Sequence, residues 1–216
     1  MPLLRSRQPQ SRRPRRKPDR AGGGGRNDTP LKLLVGLGNP GREYRETRHN
    51  VGYWLIDRVA ASHRLSLRRH ECCAKVGRGS VLGVPAVVAE PLTFMNRSGS
   101  AVRCLLDRYG LRAADLVVVH DDLDIPVGCY RVKRAGGDAG HKGVHSIIEE
   151  LGTGEFLRLR IGVGRPPAEE DAAAYVLNPF TDAERAEVCR AIEEAMDALG
   201  ALLAGAQAAG SAGGDL

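Results

Sequence analysis

With 216 residues, 42% of them hydrophobic, the chain suits one domain with a core of its own, and no run approaches the roughly 20 apolar residues that span a bilayer. The net charge of +6 is uneven: nine of the 32 Lys and Arg and two of the 26 acidic residues fall in residues 1–30, which leaves 23 basic against 24 acidic residues over the other 186. Five cysteines (Cys72, Cys73, Cys104, Cys129 and Cys189) without CxxC spacing indicate neither a disulfide framework nor a zinc knuckle. Reduced thiols in a cytosolic chain are expected.

Residues 1–30 carry prolines, four consecutive glycines and almost no apolar side chains. Such a segment cannot bury enough surface to offset its ordering entropy, so a disordered Arg/Pro/Gly-rich extension is expected. It suits a loose polyanion-binding arm or an idle extension equally. It lacks the apolar region of a secretory signal, and Pro9, Pro14 and Pro18 spoil the amphipathic helix of a transit peptide.

The body begins with the stretch that organises it. Leu31 to Leu37 reads as a buried strand, a Gly/Asn/Pro turn follows, and Val51, Trp54, Leu55 and Val59 then recur on one helical face. The loop between them holds Asn39, Tyr44, Arg48, His49 and Asn50. It also holds Gly36-x-Gly38-x-x-Gly41, the spacing of a dinucleotide fingerprint. That fingerprint needs a helix opening at the third glycine and an acidic residue at the end of a second strand. Here Pro40 interrupts the loop and Asp57 lies inside the helix, so the nucleotide reading is rejected.

Two strands follow, Cys72 to Val81 and Val84 to Glu90, joined near Gly83. PLTFMNRSGS is a loop in which Asn96 or Ser98 can cap a helix whose apolar stripe runs from Ala101 to Tyr109, before Gly110 ends it. Leu116 to His120 is a short buried strand running into Asp121, Asp122 and Asp124. Residues 127–134 are strand-like, GGDAGHKG opens a helix from about Lys142 to Leu151, and residues 158–164 alternate like a strand. A long amphipathic helix runs from Thr181 to about Ala204, with residues 206–216 as a flexible tail. Strands alternating with helices predict a single three-layer α/β domain over about 31–205, its mixed, largely parallel central sheet flanked by helices.

Three buried strands thus end in polar residues, at Asn39, Asn96 and Asp121. If they run parallel, their carboxyl ends meet in one crevice, with His49 above it. An aspartate that accepts from one imidazole nitrogen fixes the tautomer and leaves the other nitrogen to take a proton from water. No serine elbow is present, so hydrolysis would proceed through activated water. The acids Asp121, Asp122 and Asp124 also offer oxygen ligands for Mg²⁺, and His141 and His145 stand at chelating spacing; two ligands alone do not make a metal site.

Five motifs in order, VGLGNPGREYRETRHNVG (35–52), PLTFMNRSG (91–99), HDDLDIPVG (120–128), GGDAGHKG (136–143) and RLRIGVGRP (158–166), resemble those of the bacterial-type peptidyl-tRNA hydrolase family. The resemblance covers about residues 31–181. It implies cleavage of the ester that joins a peptide to the 3′-terminal adenosine of tRNA, by a cytosolic monomer of α/β fold that needs no metal or other cofactor and contacts the acceptor stem, the 3′ CCA end and the 5′ phosphate. Carried onto this chain, it implies His49 as the base, Asp121 as its orienting partner, and Asn39 and Asn96 as amides at the substrate and the developing oxyanion. Tyr44 and Met95 are implied as cleft residues, Lys133 and Arg160 as a clamp on the 5′ phosphate, and His141 and Lys142 as further substrate contacts. The nearly neutral body fits such a local clamp better than a uniformly basic surface.

One departure stands out. Where the family usually has asparagine after the histidine of the glycine-rich motif, this chain has Lys142, which donates only and carries a charge. It is expected at a phosphate, at the substrate carbonyl, or in water. Asp138 and Ala139 replace what is often His or Gly in the same motif. The rival reading is a non-catalytic RNA-binding protein of the same fold, which has no need for Asn39, His49, Asn96 and Asp121 together.

Overall fold

Apolar runs buried on both faces make the central strands here. In the computed structural model, which describes residues 29–203, β1 (Lys32–Gly36) and β5 (Leu116–Asp122) alternate their side chains between two cores. Leu34, Val117 and Val119 face one; Leu33, Val35, Leu116 and Val118 face the other. The first core is covered by α1 (Val51–Ser62) and α5 (Asp182–Leu203), the second by α2 (Ser98–Tyr109) and α3 (Lys142–Leu151). This is the three-layer α/β domain predicted from the sequence. The extension, apart from its last two residues, and the 206–216 tail lie outside the described residues.

The remaining strands are β2 (Arg69–Glu71), β3 (Ala74–Val81), β4 (Val84–Pro91), β6 (Tyr130–Lys133) and β7 (Leu157–Gly162), and a short helix α4 (Ala172–Val176) precedes α5. Sheet order is β2-β3-β4-β1-β5-β7-β6. The inner four, β4, β1, β5 and β7, are parallel, while β3 and β2 on one edge and β6 on the other are antiparallel. Short β2 and α4 escaped the sequence reading because three to five residues are too few to show a period.

Close helix-to-sheet contact positions the crevice. A methyl at Gly36 would lie 2.3 Å from the Gly52 carbonyl oxygen, and one at Gly52 would lie 2.5–2.6 Å from backbone atoms of Leu37 and Val119. Gly36 at the end of β1 and Gly52 in the first turn of α1 therefore let the helix rest on the ends of β1 and β5. They serve packing where a dinucleotide fingerprint would serve phosphate.

Two expectations need correction. The expectation of reduced thiols without a disulfide fails for one pair: Cys72 and Cys104 are bonded to each other, with Cα atoms 5.6 Å apart, while Cys73, Cys129 and Cys189 are free and exposed. Spacing could not show the pair, because 32 residues separate a hairpin turn from a helix that only the fold brings together. Neither Asn96 nor Ser98 caps α2. Arg97 occupies the N-cap position without a side-chain bond, and the Ser98 hydroxyl donates back to the Met95 carbonyl at 2.9 Å.

Candidate active site

The parallel register brings the three polar strand ends together, as the sequence required. β1 runs on to Asn39, β4 towards a 3₁₀ turn at Met95–Arg97, and β5 ends in His120, Asp121 and Asp122. A 3₁₀ turn, Arg48–Asn50, leads into α1 and sets His49 over the crevice. These residues border a cavity of about 810 Å³ whose lining includes Asn39, His49, Met95, Asn96, Asp121, His141 and Lys142. Ala172, Val176 and Leu177, together with Phe94 and Met95, supply apolar lining.

At its base, His49 Nδ1 lies 2.9 Å from both carboxylate oxygens of Asp121. Both side chains are buried, and a proton on Nδ1 donated to the carboxylate leaves the Nε2 lone pair free to accept one. Burial draws the His49 pKa down, the charge and hydrogen bond of Asp121 draw it up, and Lys142 draws it down again; the net position is above the ordinary imidazole value. Asp121 is held well below the usual carboxylate range. Its burial opposes ionisation, but the two imidazoles that face it, His49 and His141, outweigh that penalty.

The amides are fixed by the backbone. Asn50 grips the Asn39 peptide from both sides, its Oδ1 accepting from Asn39 N at 2.8 Å and its Nδ2 donating to Asn39 O at 2.9 Å. Asn39 Oδ1 in turn accepts from Met95 N at 2.8 Å, which ties the first loop to the second motif. Asn96 lies exposed on the rim. Arg48 is buried beside His49; its Nη2 donates to both carboxylate oxygens of Glu184 and its Nη1 to the Asn178 and Pro179 carbonyls, so α5 anchors the loop that carries His49. The sequence placed Arg48 and Asn50 in this loop without a role: Glu184 is 136 residues from Arg48, and the Asn39 peptide meets Asn50 only once the loop folds back on itself.

The other expected residues lie elsewhere. Tyr44 is half-buried and does not border the cavity as expected; the turn that bonds its carbonyl to Thr47 N and Oγ1 directs the loop past the crevice. Lys133 and Arg160 stand on the β6–β7 edge, outside the cavity lining. Lys133 Nζ donates to the Gly137 carbonyl at 3.1 Å, and Arg160 Nε to Asp122 at 2.6 Å. Arg158, almost fully buried, donates to the Gly136, Gly137 and Gly154 carbonyls and so shapes the glycine-rich loop.

Metal chemistry finds no good donor set here. Asp121 is taken by imidazoles, Asp122 by Arg160 and Asp124 by Arg165, so the three acids do not converge on an ion. His49, Asp121 and His141 do place three ligand atoms within 4.8 Å. However, His141 Nδ1 accepts from Gly143 N and Val144 N, so the ring proton belongs on Nε2, the atom a metal would need bare. His145 is exposed and bonds Asp138 at 2.8 Å, well separated in role from His141.

A family model described as Peptidyl-tRNA hydrolase matches residues 33–212. Among curated proteins, the Peptidyl-tRNA hydrolase of Geobacillus thermodenitrificans is 45% identical over 168 residues, 78% of this chain and 90% of that one. The protein of the same name from Aquifex aeolicus is 44% identical over 169 residues, 78% and 88% of the two chains. Among solved structures, peptidyl-tRNA hydrolase from Acinetobacter baumannii superposes with a TM-score of 0.78 at 34% identity, covering 84% of this chain and 92% of that one.

Proposed function

This chain belongs to the peptidyl-tRNA hydrolase family, and from that premise we propose that it hydrolyses the ester between a peptide and the 3′-terminal adenosine of tRNA, releasing both. The observation that carries the mechanism is the His49–Asp121 contact at the floor of a cavity bordered by Asn39 and Asn96. His49 Nε2 takes a proton from water, whose oxygen attacks the ester carbonyl. The tetrahedral oxyanion collapses, the bond to the ribose oxygen breaks, and the His49 imidazolium returns its proton to that oxygen. Asp121 holds the ring in the required tautomer and stabilises the imidazolium. Asn39 positions substrate, and Asn96 donates to the oxyanion. An activated ester needs no more than this, so no cofactor enters the scheme.

Substrate is held at two places. Met95, with the rest of the apolar lining, faces the peptide, while Lys133 and Arg160 grip the 5′ phosphate through charge alone, a contact that carries no base sequence. Lys142, on the cavity rim where the family usually has asparagine, adds a cation beside the 3′ end. His141 borders the same space. The enzyme is assigned to the cytoplasm as a monomer; no helix among the described residues is long and apolar enough to cross a membrane.

The test is peptide release from N-blocked aminoacyl-tRNA by the purified chain with chelator present. Release under chelator is expected. Binding without release would reject the hydrolase assignment, and release that requires added metal would reject the water-and-imidazole mechanism.

A further inference from the structure

We infer that His141 is a positioning residue for the proposed reaction: its neutral ring relays the amino terminus of α3 into Asp121 and thereby sets both the orientation of that carboxylate and the strength of the base His49. The inference rests on the hydrolase reading above and deepens it.

The geometry gives the ring one tautomer. His141 is the N-cap of α3, a ten-residue helix, and its Nδ1 accepts from Gly143 N at 3.1 Å and Val144 N at 3.2 Å. A proton on Nδ1 would face two N–H groups, so it resides on Nε2, which lies 2.9 Å from Asp121 Oδ1. The positive end of the helix thus acts on a buried anion through an imidazole rather than directly. Because both ring nitrogens are engaged, His141 meets substrate only with its carbon edge. Asp121 Oδ1 is shared by two donors, His49 Nδ1 and His141 Nε2, and the rings stand 5.0 Å apart at their centroids.

Sharing has a chemical consequence. Each donor draws carboxylate charge that would otherwise stabilise a protonated His49, so His141 weakens His49 as a base enough to release its proton again to the leaving ribose oxygen. The groups facing His49 are Asp121 from β5 and His141 and Lys142 from the first turn of α3. Around them, His120 sets its ring against His141 with centroids 4.6 Å apart, Asp122 and Asp124 are paired with arginines, and Arg48 is neutralised by Glu184.

Two conservative variants separate capping from positioning. The Asn carbonyl reaches about as far as imidazole Nδ1, so His141→Asn keeps the cap and loses the donor to Asp121. The Gln amide reaches about as far as Nε2, so His141→Gln keeps that donor. With peptide release from N-blocked aminoacyl-tRNA as readout, His141→Asn is expected to lower kcat by about 10-fold or more with KM little changed. It should also move the acid limb of kcat/KM to higher pH, whereas His141→Gln, which keeps the donor but lets go of the helix, falls between wild type and the Asn variant in both. An Asn variant that matches wild type in kcat and in the acid limb overturns the inference, as does a Gln variant as impaired as the Asn one. Thermal melts confirm that the Asn variant is folded. A wild-type chain that releases no peptide overturns the hydrolase reading instead. Nitrogen-15 NMR of the imidazoles then judges His141 alone: a bare Nδ1 and protonated Nε2 support the relay, and the opposite tautomer refutes it.

Discussion

Two carboxylates equally hidden from water are shifted in opposite directions in this molecule. Asp121 at the end of β5 is 3% exposed and Glu90 near the end of β4 is 1% exposed. Asp121 meets two N–H donors and is held well below the carboxylate range. Glu90 has one oxygen on Lys75 Nζ at 3.0 Å and its other oxygen buried without a partner. Burial, and then the charge of Asp57, push it up to about 7, against the pull of that lysine. Burial alone therefore does not set the charge of a buried acid; the number and sign of the groups aimed at it do. The crevice supplies donors on every side, whereas the β4 end supplies one half-exposed lysine and an opposing acid.

The comparison breaks first at its chemical end. Removing the ring paired with Asp121, as His49→Ala, is expected to lower turnover by about 10²–10⁴-fold, the usual scale of a general base, while tRNA affinity survives. Single-turnover release and a binding titration check this, and turnover within a few-fold of wild type would unseat His49 as the base.

The second test compares how stability depends on pH. Glu90 titrates higher in the folded chain than its ordinary 4.5, so the native state binds the extra proton, and this group's contribution is fully present below about 4.5 and lost as pH rises through about 7. Asp121 has the reverse sign: its contribution is present above the ordinary carboxylate value and lost as pH falls through its depressed one. Glu90→Gln should therefore match wild type near pH 4 and exceed it by on the order of 1–3 kcal/mol at pH 8. Denaturant midpoints at the two pH values measure it, and an equal difference at both would show that Glu90 is ionised throughout.

The smallest effect expected lies outside both buried sites, on the β6–β7 edge. Lys133→Ala should weaken tRNA binding a few-fold at low salt and reduce the slope of log affinity against log salt by about one. Arg160 substitutions should act in the same direction, with an added stability cost because Asp122 loses its partner. A salt response identical to wild type would remove Lys133 from the phosphate clamp.

Much of the candidate site was legible because it is written in short range. The strand, loop and helix around His49, the polar endings of three apolar runs, and the glycine-rich opening of α3 are periodicities and dipeptides that neighbouring residues carry. The pairing of His49 with Asp121 followed from them once the strands were taken as parallel, which the β4-β1-β5 register bears out. Several partnerships were not legible: Arg48 with Glu184, Cys72 with Cys104, and Asp122 with Arg160.

What the chain order by itself determined was therefore the kind of domain, the family motifs, and the side chains that gather at one sheet edge. Only the tertiary structure decided which nitrogen meets which oxygen: that His141 turns Nε2 to Asp121 while its Nδ1 caps a helix, and that Tyr44 stays outside the cavity lining. The reason is geometric. Periodicity along a strand or helix is fixed by adjacent residues, but a hydrogen bond between segments 20 to 136 residues apart depends on register and helix approach to a fraction of an ångström, which no local pattern records.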